Sequence, residues 1–342
     1  IAIKFLRSYD LAFNGGKRRK VITLSPSYHG GTMFALAMSG DEELAPWLDG
    51  FQAPCEHVPA PLTYRLPGNH TAETYAGACA DGLEERIAAL GPGNVLAFVI
   101  EPVGGLATGC NVPPASYFRR IREITRRHGI ALVYDEVLCG TGRTGQFLAA
   151  HNWPDALPDV VVMAKGLASG YVPLGATLFP AALVDRLAEA SGFGFSHTYC
   201  GNPVACATGL AVLDEYERQQ VLANTRAMGA RLRAGLDGLA SKFRSIGDVR
   251  GLGLCMAVEL VTDQATKTPF PIDIAPTDLV RIAGLKNGLV IYARRTARGR
   301  NGDWIIVAPP MNITKAECDE ALKRLAATFA DFEKEVKRLG LV

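Results

Sequence analysis

The sequence predicts an α/β fold: a large domain with a mostly parallel sheet between helices, followed by a smaller C-terminal α+β domain. Three observations carry this prediction. Short apolar runs alternate with helical patterns from residue 20 to residue 180. Those runs read as continuous Val/Ile/Leu stretches, the pattern of strands covered on both faces. Beyond a long helical stretch that starts at Pro203, the character shifts to glycine-punctuated paired strands and amphipathic helices.

The elements follow in order. "IAIKFLRSYDLA" (1–12) has helical periodicity without a capping residue before it, so the chain is expected to begin inside a longer protein; it carries no signal-peptide pattern. "KVITLS" (20–25) is the first strand. "YAGACADGLEERIAAL" (75–90) is a helix leading into the strand "NVLAFVIEP" (94–102). "YFRRIREITRRHG" (117–129) is a helix that stops at Gly129, followed by the strands "IALVYDE" (130–136), "DVVVMAK" (159–165) and "GATLFP" (175–180). One long helix is expected from Pro203 to about residue 241, with the domain boundary within it, giving a large domain 1–215 and a small domain 216–342. In the small domain "IGDVRGLGLCMAVEL" (246–260) reads as a strand pair. "PTDLVRIAGLKNGLVIY" (276–292) reads as helix then strand, and "DWIIVAPP" (303–310) as a strand. The last helix opens on a capping box of Thr314 and Glu317.

Composition narrows the function. The 342 residues are 48% hydrophobic and carry a net charge of +2 with Lys and Arg scattered, so no basic stripe suggests a nucleic acid partner. No apolar run reaches the roughly 18 residues that span a bilayer, so no membrane partner is expected. The eight cysteines are dispersed without a CxxC pair, which fits reduced thiols in a cytoplasmic protein and no zinc site.

In a mostly parallel sheet, ligands sit beyond the carboxyl ends of the strands. Asp135 ends one strand and Lys165 another. Alone, each reads as an N-cap or a solvated charge. Together, a carboxylate and an amine at one sheet edge suggest a cofactor site in which the lysine forms a Schiff base and the acid pairs with a protonated ring nitrogen. "SPSYHGGT" (25–32) adds Tyr28, either an ordinary loop tyrosine or a ring stacked on a planar cofactor. "SHTYCGNP" (196–203) is either a plain N-cap or a phosphate site at a helix start. "CGTGRTGQ" (139–146) lacks the GxxxxGK[ST] phosphate-loop pattern and reads as a wall of the site.

The ordered set "SYHGGT", "FVIEPVGG", "LVYDEVLCGTGRTG", "PDVVVMAKGLASGYVPLGA", "SHTYCGNPVACA" and "VAPPMNIT" resembles the class III (omega-amino acid type) aminotransferases, pyridoxal-phosphate enzymes of fold type I, over essentially the whole chain. The resemblance implies pyridoxal 5'-phosphate as cofactor. It makes Lys165 the Schiff-base lysine and proton shuttle, and gives the pyridinium nitrogen to Asp135. Tyr28 and Val137 would lie on the two ring faces, with His29 following in the family's "YHG". Glu101, in the family's "EP", would orient the surroundings of Asp135. Thr198 would reach the phosphate of a neighbouring subunit's cofactor, which implies a homodimer or a tetramer built from it. The family's glycine–serine phosphate loop would precede Ile1.

The implied reaction moves an amino group from an omega-amino acid or amine donor to a keto acid such as pyruvate or 2-oxoglutarate. An aminomutase or a decarboxylase of the same fold is the alternative. Ornithine- and GABA-type members carry a glutamate where this chain has Leu106, which weighs against those activities. "GLVIYARRTARGR" (288–300) places Tyr292, Arg294 and Arg295 as candidates to bind a substrate carboxylate, with a solvated basic loop as the competing reading.

Overall fold

The computed structural model describes every residue except Phe193, Phe195, Ser196 and Val342. Six strands form the first sheet: β1 (Lys20–Ser25), β2 (Cys55–Pro59), β3 (Val95–Ile100), β4 (Ala131–Asp135), β5 (Val160–Met163) and β6 (Ala176–Leu178), in the order β2-β1-β3-β4-β5-β6. All pairs are parallel except β5 with β6. β3 is buried at all six positions, as its uninterrupted apolar run requires.

Helices cover both faces. On one, Leu83 and Ile87 of α3 (Ala72–Leu90) and Phe118, Ile121 and Ile124 of α4 (Ala115–Arg127) pack on Ile22, Phe98 and Tyr134. On the other, Phe5 and Leu6 of α1 (Ala2–Asn14) and Leu187 of α5 (Ala181–Ser191) pack on Val21, Val99 and Val133. A short helix, α2 (Met33–Met38), follows the β1 loop and adds Met38 to that core.

The expected single helix from Pro203 is two. α6 (Pro203–Arg218) ends before Gln220, whose φ of 50° is left-handed, and α7 (Val221–Lys242) starts there in a new direction. The two halves serve different cores. Tyr216 of α6 bonds Thr141 of the large sheet's loops, whereas Leu232, Leu236 and Leu239 of α7 belong to the second core. No Gly or Pro marks the break, so periodicity runs through it.

The second sheet is antiparallel, in the order β7-β8-β10-β9, from β7 (Ile246–Leu252), β8 (Cys255–Leu260), β9 (Tyr292–Thr296) and β10 (Gly302–Val307). β9 begins where the expected strand 288–292 ends. It is set by pairing with β10, Trp304 opposite Arg294. Met256, Val258 and Leu260 of β8 face α7, α8 (Pro276–Lys286) and α9 (Lys315–Arg338), while the alternate residues Cys255 and Ala257 join the large domain's core. Both faces of β8 are therefore buried. The Thr314–Glu317 capping box forms as expected. No described helix is long and apolar enough to cross a membrane.

Candidate active site

β1, β3, β4 and β5 run in parallel, so their carboxyl ends share one edge, and the sequence continues from each into a chemistry-bearing residue. Beyond β1 come Tyr28 and His29. Beyond β3 comes Glu101, and β4 ends on Asp135. Two residues past the end of β5 comes Lys165.

Asp135 is the centre of a bonded set. The backbone N–H of Val137 donates to its Oδ1 at 3.1 Å, and Nδ1 of His29 lies 2.9 Å from its Oδ2. The His29 side chain is 2% exposed. Burial pushes its imidazolium down, but the hydrogen bond and charge of Asp135, aided by Glu101, outweigh this and raise it above its ordinary value. Its Nδ1–H thus donates to a carboxylate, while its Nε2 is buried without a partner among the described residues. The His29 backbone N–H donates to Ser39 Oγ at 2.8 Å, which fixes the loop from behind.

Glu101 joins the β3 end to the β1 loop. Its Oε2 accepts from the Tyr28 N–H at 3.0 Å and its Oε1 from the Gly105 N–H at 2.9 Å. Desolvation lifts this carboxyl to about 7. Tyr28 is half-buried, positioned through its backbone rather than by its hydroxyl.

Lys165 is exposed and has a left-handed φ of 45°. Such a conformation costs a non-glycine residue on the order of 1–2 kcal/mol. Among the described residues nothing pairs with its ammonium, so the amine is presented rather than consumed. Gly170 takes φ 82°, whereas Gly166 is needed for space, since a Cβ there would stand 3.3 Å from Thr141 Cβ.

Three residues escaped sequence reasoning. Tyr216 donates to Thr141 O at 2.9 Å and lies 3.4 Å from Gly166 O, bracing the lysine turn from α6. Ser39 is the anchor of His29. Glu136 is fully buried beside Asp135 and accepts the N–H groups of Ala149 and Ala150 at 2.6 and 2.8 Å, while burial raises it to about 7. An acid immediately after Asp135 in an apolar strand was the available signal for Glu136. Tyr216 acts across 50 residues or more, and Ser39 returns to His29 only through the fold of the intervening loop and α2.

Other candidates lie apart. Thr198 is exposed in a turn and touches none of this set, and its neighbour Ser196 lies outside the described residues. The first N–H groups of α6 are taken by Asn202, whose side chain accepts from Val204 and Ala205, so the plain N-cap is present. Arg294 pairs with Asp41, and Arg295 is held by Asp303 at 3.1 Å and by the carbonyls of residues 270–272 and 274. Both guanidinium groups are thus engaged away from the lysine, and Tyr292 is an exposed strand residue. Arg143 of the glycine-rich loop bonds Leu254 O and Pro309 O, so that loop clamps the small domain.

Residues 1–329 match the family model described as Aminotransferase class-III. The chain belongs to the class III aminotransferases. It is 36% identical to the uncharacterized aminotransferase YodT of Bacillus subtilis, over 91% of this chain and 70% of that protein. It is 33% identical to a vanillin aminotransferase of Capsicum annuum, over 98% of this chain and 72% of that protein. An amine transaminase structure from an uncultivated Pseudomonas species, in a PLP-bound form, superposes with a TM-score of 0.87 at 34% identity, covering 96% of this chain and 73% of that one. This aminotransferase is therefore a pyridoxal-phosphate-dependent enzyme of fold type I. Its own residues fit the group: a carboxylate backed by an imidazole at one strand end and an unpaired amine beyond the next.

Proposed function

We propose that this aminotransferase moves an amino group from an omega-amino acid or amine donor to a keto acid, pyruvate or 2-oxoglutarate, and that Lys165 is the residue that carries the cofactor and shuttles the proton. The observation that carries this is the pairing of Asp135, backed by His29, with the unpartnered Lys165 at the ends of adjacent parallel strands. Similarity to an amine transaminase and to a vanillin aminotransferase supports an amine donor.

When bound, pyridoxal phosphate supplies a carbonyl for amine exchange and a protonated ring that accepts the electron pair left at the donor's Cα. The chain does the rest. Asp135 would pair with the ring nitrogen, and His29 holds that carboxyl in place through the contact at its Oδ2. Tyr28, fixed through Glu101, and Val137, fixed through Asp135, would hold the ring between them. Lys165 Nζ takes the proton from the donor's Cα and returns it on the other side of the exchange.

The proposed working form is a homodimer in which Thr198 meets the phosphate of the neighbouring subunit's cofactor. Supporting this, Tyr199, Val204 and Leu210 are 82%, 65% and 64% exposed on the turn and helix that follow Thr198. Leu106 supports a donor pocket without a switching arginine: its carbonyl accepts from Trp304 Nε1 at 3.1 Å, and its aliphatic side chain has nothing to offer a guanidinium.

The test follows the visible absorbance of the PLP-loaded protein as single amines are added from a panel of omega-amino acids, diamines and α-amino acids, with Lys165→Ala as control. Conversion by some amines and restoration by a keto acid is expected. A loaded protein that no amine converts would shift the reading to a same-fold aminomutase or decarboxylase, and a Lys165→Ala protein that still converts would remove Lys165 from its role.

A further inference from the structure

Cys110 and Cys255 lie fully buried where the small sheet meets the large domain, with their sulfurs 3.6 Å apart. Cys110 sits in the loop after β3 with a left-handed φ of 53°, and Cys255 opens β8. We propose that these two thiols form an oxidation site that reacts with hydrogen peroxide and closes to a disulfide, joining the β3 loop covalently to the small sheet.

The pair is arranged for it. Formation of an S–S bond requires the sulfurs to approach to about 2 Å, and at 3.6 Å the two sulfurs are already in van der Waals contact. The hydrogen-bonding contact with Cys110 lowers the Cys255 thiol below its ordinary value; burial opposes this and the Arg143 guanidinium reinforces it. The same contact, with burial, raises Cys110. Cys255 is therefore the attacking sulfur and Cys110 the proton-bearing partner. The other charges acting on the pair are Arg250, Glu101 and Lys165, with the Cys139 thiol as the third sulfur nearby. A cavity of about 70 Å³ lined by Thr108, Asn111, Arg250 and Trp304 flanks Cys110 in sequence on both sides. Neither cysteine lines it, so it brings a water-sized oxidant beside the loop rather than to the sulfurs.

The step balances. The Cys255 thiolate attacks one peroxide oxygen, the O–O bond breaks, and the departing hydroxide leaves as water with the proton from Cys110. Cys110 sulfur then attacks the sulfenic sulfur of Cys255; the S–O bond breaks, and the departing hydroxide takes up the proton that Cys255 released on ionising and leaves as a second water. Two thiols lose two electrons and one peroxide becomes two waters. An external dithiol reverses it.

The consequence lies in the loop. Arg250 already bonds Gly109 O at 2.6 Å, and Trp304 bonds Leu106 O. The same loop begins with Glu101 and Gly105, which fix Tyr28. A disulfide makes this joint permanent.

The experiment uses the full chain with Cys200→Ser and Cys206→Ser, which removes the two exposed thiols. It is treated with hydrogen peroxide, quenched, unfolded, alkylated and mapped by mass spectrometry. The expected result is a loss of about 2 Da, a Cys110–Cys255 linked peptide and full reversal by dithiothreitol. Adding Cys110→Ser should abolish the link and leave a Cys255 sulfenic acid that dimedone traps. Full alkylation of both cysteines after peroxide, or a link from either one to Cys139 instead, overturns the proposal. Neither outcome depends on cofactor loading or on the stability of a core variant, because the mass change is read on a protein substituted only at the exposed Cys200 and Cys206.

Discussion

Nδ1 of His29 stands 2.9 Å from Oδ2 of Asp135 across the ends of β1 and β4, two strands that have β3 between them in the sheet. The contact bridges 106 residues of sequence. It braces the Asp135 carboxyl at the strand end where the proposed ring nitrogen would meet it.

Replacing Asp135 by Asn keeps the Val137 hydrogen bond and removes the charge. The rate of amine conversion by PLP-saturated protein is expected to fall by about 10²–10³-fold, the usual cost of losing a preorganised charge partner. Single-turnover spectroscopy reads this. A fall of less than about tenfold would mean that Asp135 is not the ring's partner.

The left-handed backbone of Lys165 predicts an unusual order of stabilities. Without cofactor, Lys165→Gly should be more stable than Lys165→Ala by about 1 kcal/mol, because only glycine takes φ 45° without strain. Urea unfolding of the two cofactor-free variants measures the difference. Equal stabilities, or the reverse order, would show that no strain is stored at this residue.

Gly105 is required by the carboxylate beside it. A Cβ there would stand 2.5 Å from Glu101 Oε1 and 3.1 Å from Leu138 Cδ2. Gly105→Ala is expected to displace Glu101 from the Tyr28 N–H, costing roughly 1–3 kcal/mol and weakening PLP binding. Gly77→Ala, in α3 with nothing within 4 Å, should instead be neutral or stabilising by about 0.5–1 kcal/mol. Thermal unfolding and cofactor titration of the pair separate the two cases.

Stability should fall as pH rises through neutrality. Glu101 and Glu136 are raised by burial from 4.5 to about 7, so folding favours their protonated forms. That contribution is fully present below about 4.5 and is lost as pH climbs through about 7. His29, raised from 6.5, adds to the same trend: its contribution is present below 6.5 and lost above its raised value. Each carboxyl is worth on the order of 3 kcal/mol over the window. Denaturant unfolding between pH 5.5 and pH 8.5, roughly bracketing the raised groups, should show the decline, and Glu136→Gln should flatten it at the cost of one backbone hydrogen bond, about 1 kcal/mol. A profile that rises with pH, or one unchanged in Glu136→Gln, would contradict the assignment.

Much of this was legible in the chain. The strand at 20–25 appears with its expected limits, and the apolar runs at 94–102, 130–136 and 159–165 contain β3, β4 and β5 because burial on both faces leaves an uninterrupted apolar pattern. Asp135 and Lys165 were visible as polar residues at the ends of such runs. β2 was not found, since "CEHVP" mixes charge into an edge strand whose existence depends on pairing with β1. β9 was misplaced because "YARRT" becomes a strand only through β10. The two-helix break at Gln220 left no signal because it serves a change of packing partner.

The sequence by itself determined the mostly parallel class of the first sheet, the presence of Asp135 and Lys165 at the ends of two apolar runs, and the family. These are local facts: periodicity, strand ends and motif spacing lie within short windows. Tertiary structure alone decided that His29 meets Asp135, that Glu101 holds Tyr28, that Arg294 and Arg295 turn to Asp41 and Asp303, and that Cys110 faces Cys255. Each of these joins residues that are far apart in the chain, and only the closing of the sheets around their cores sets such distances.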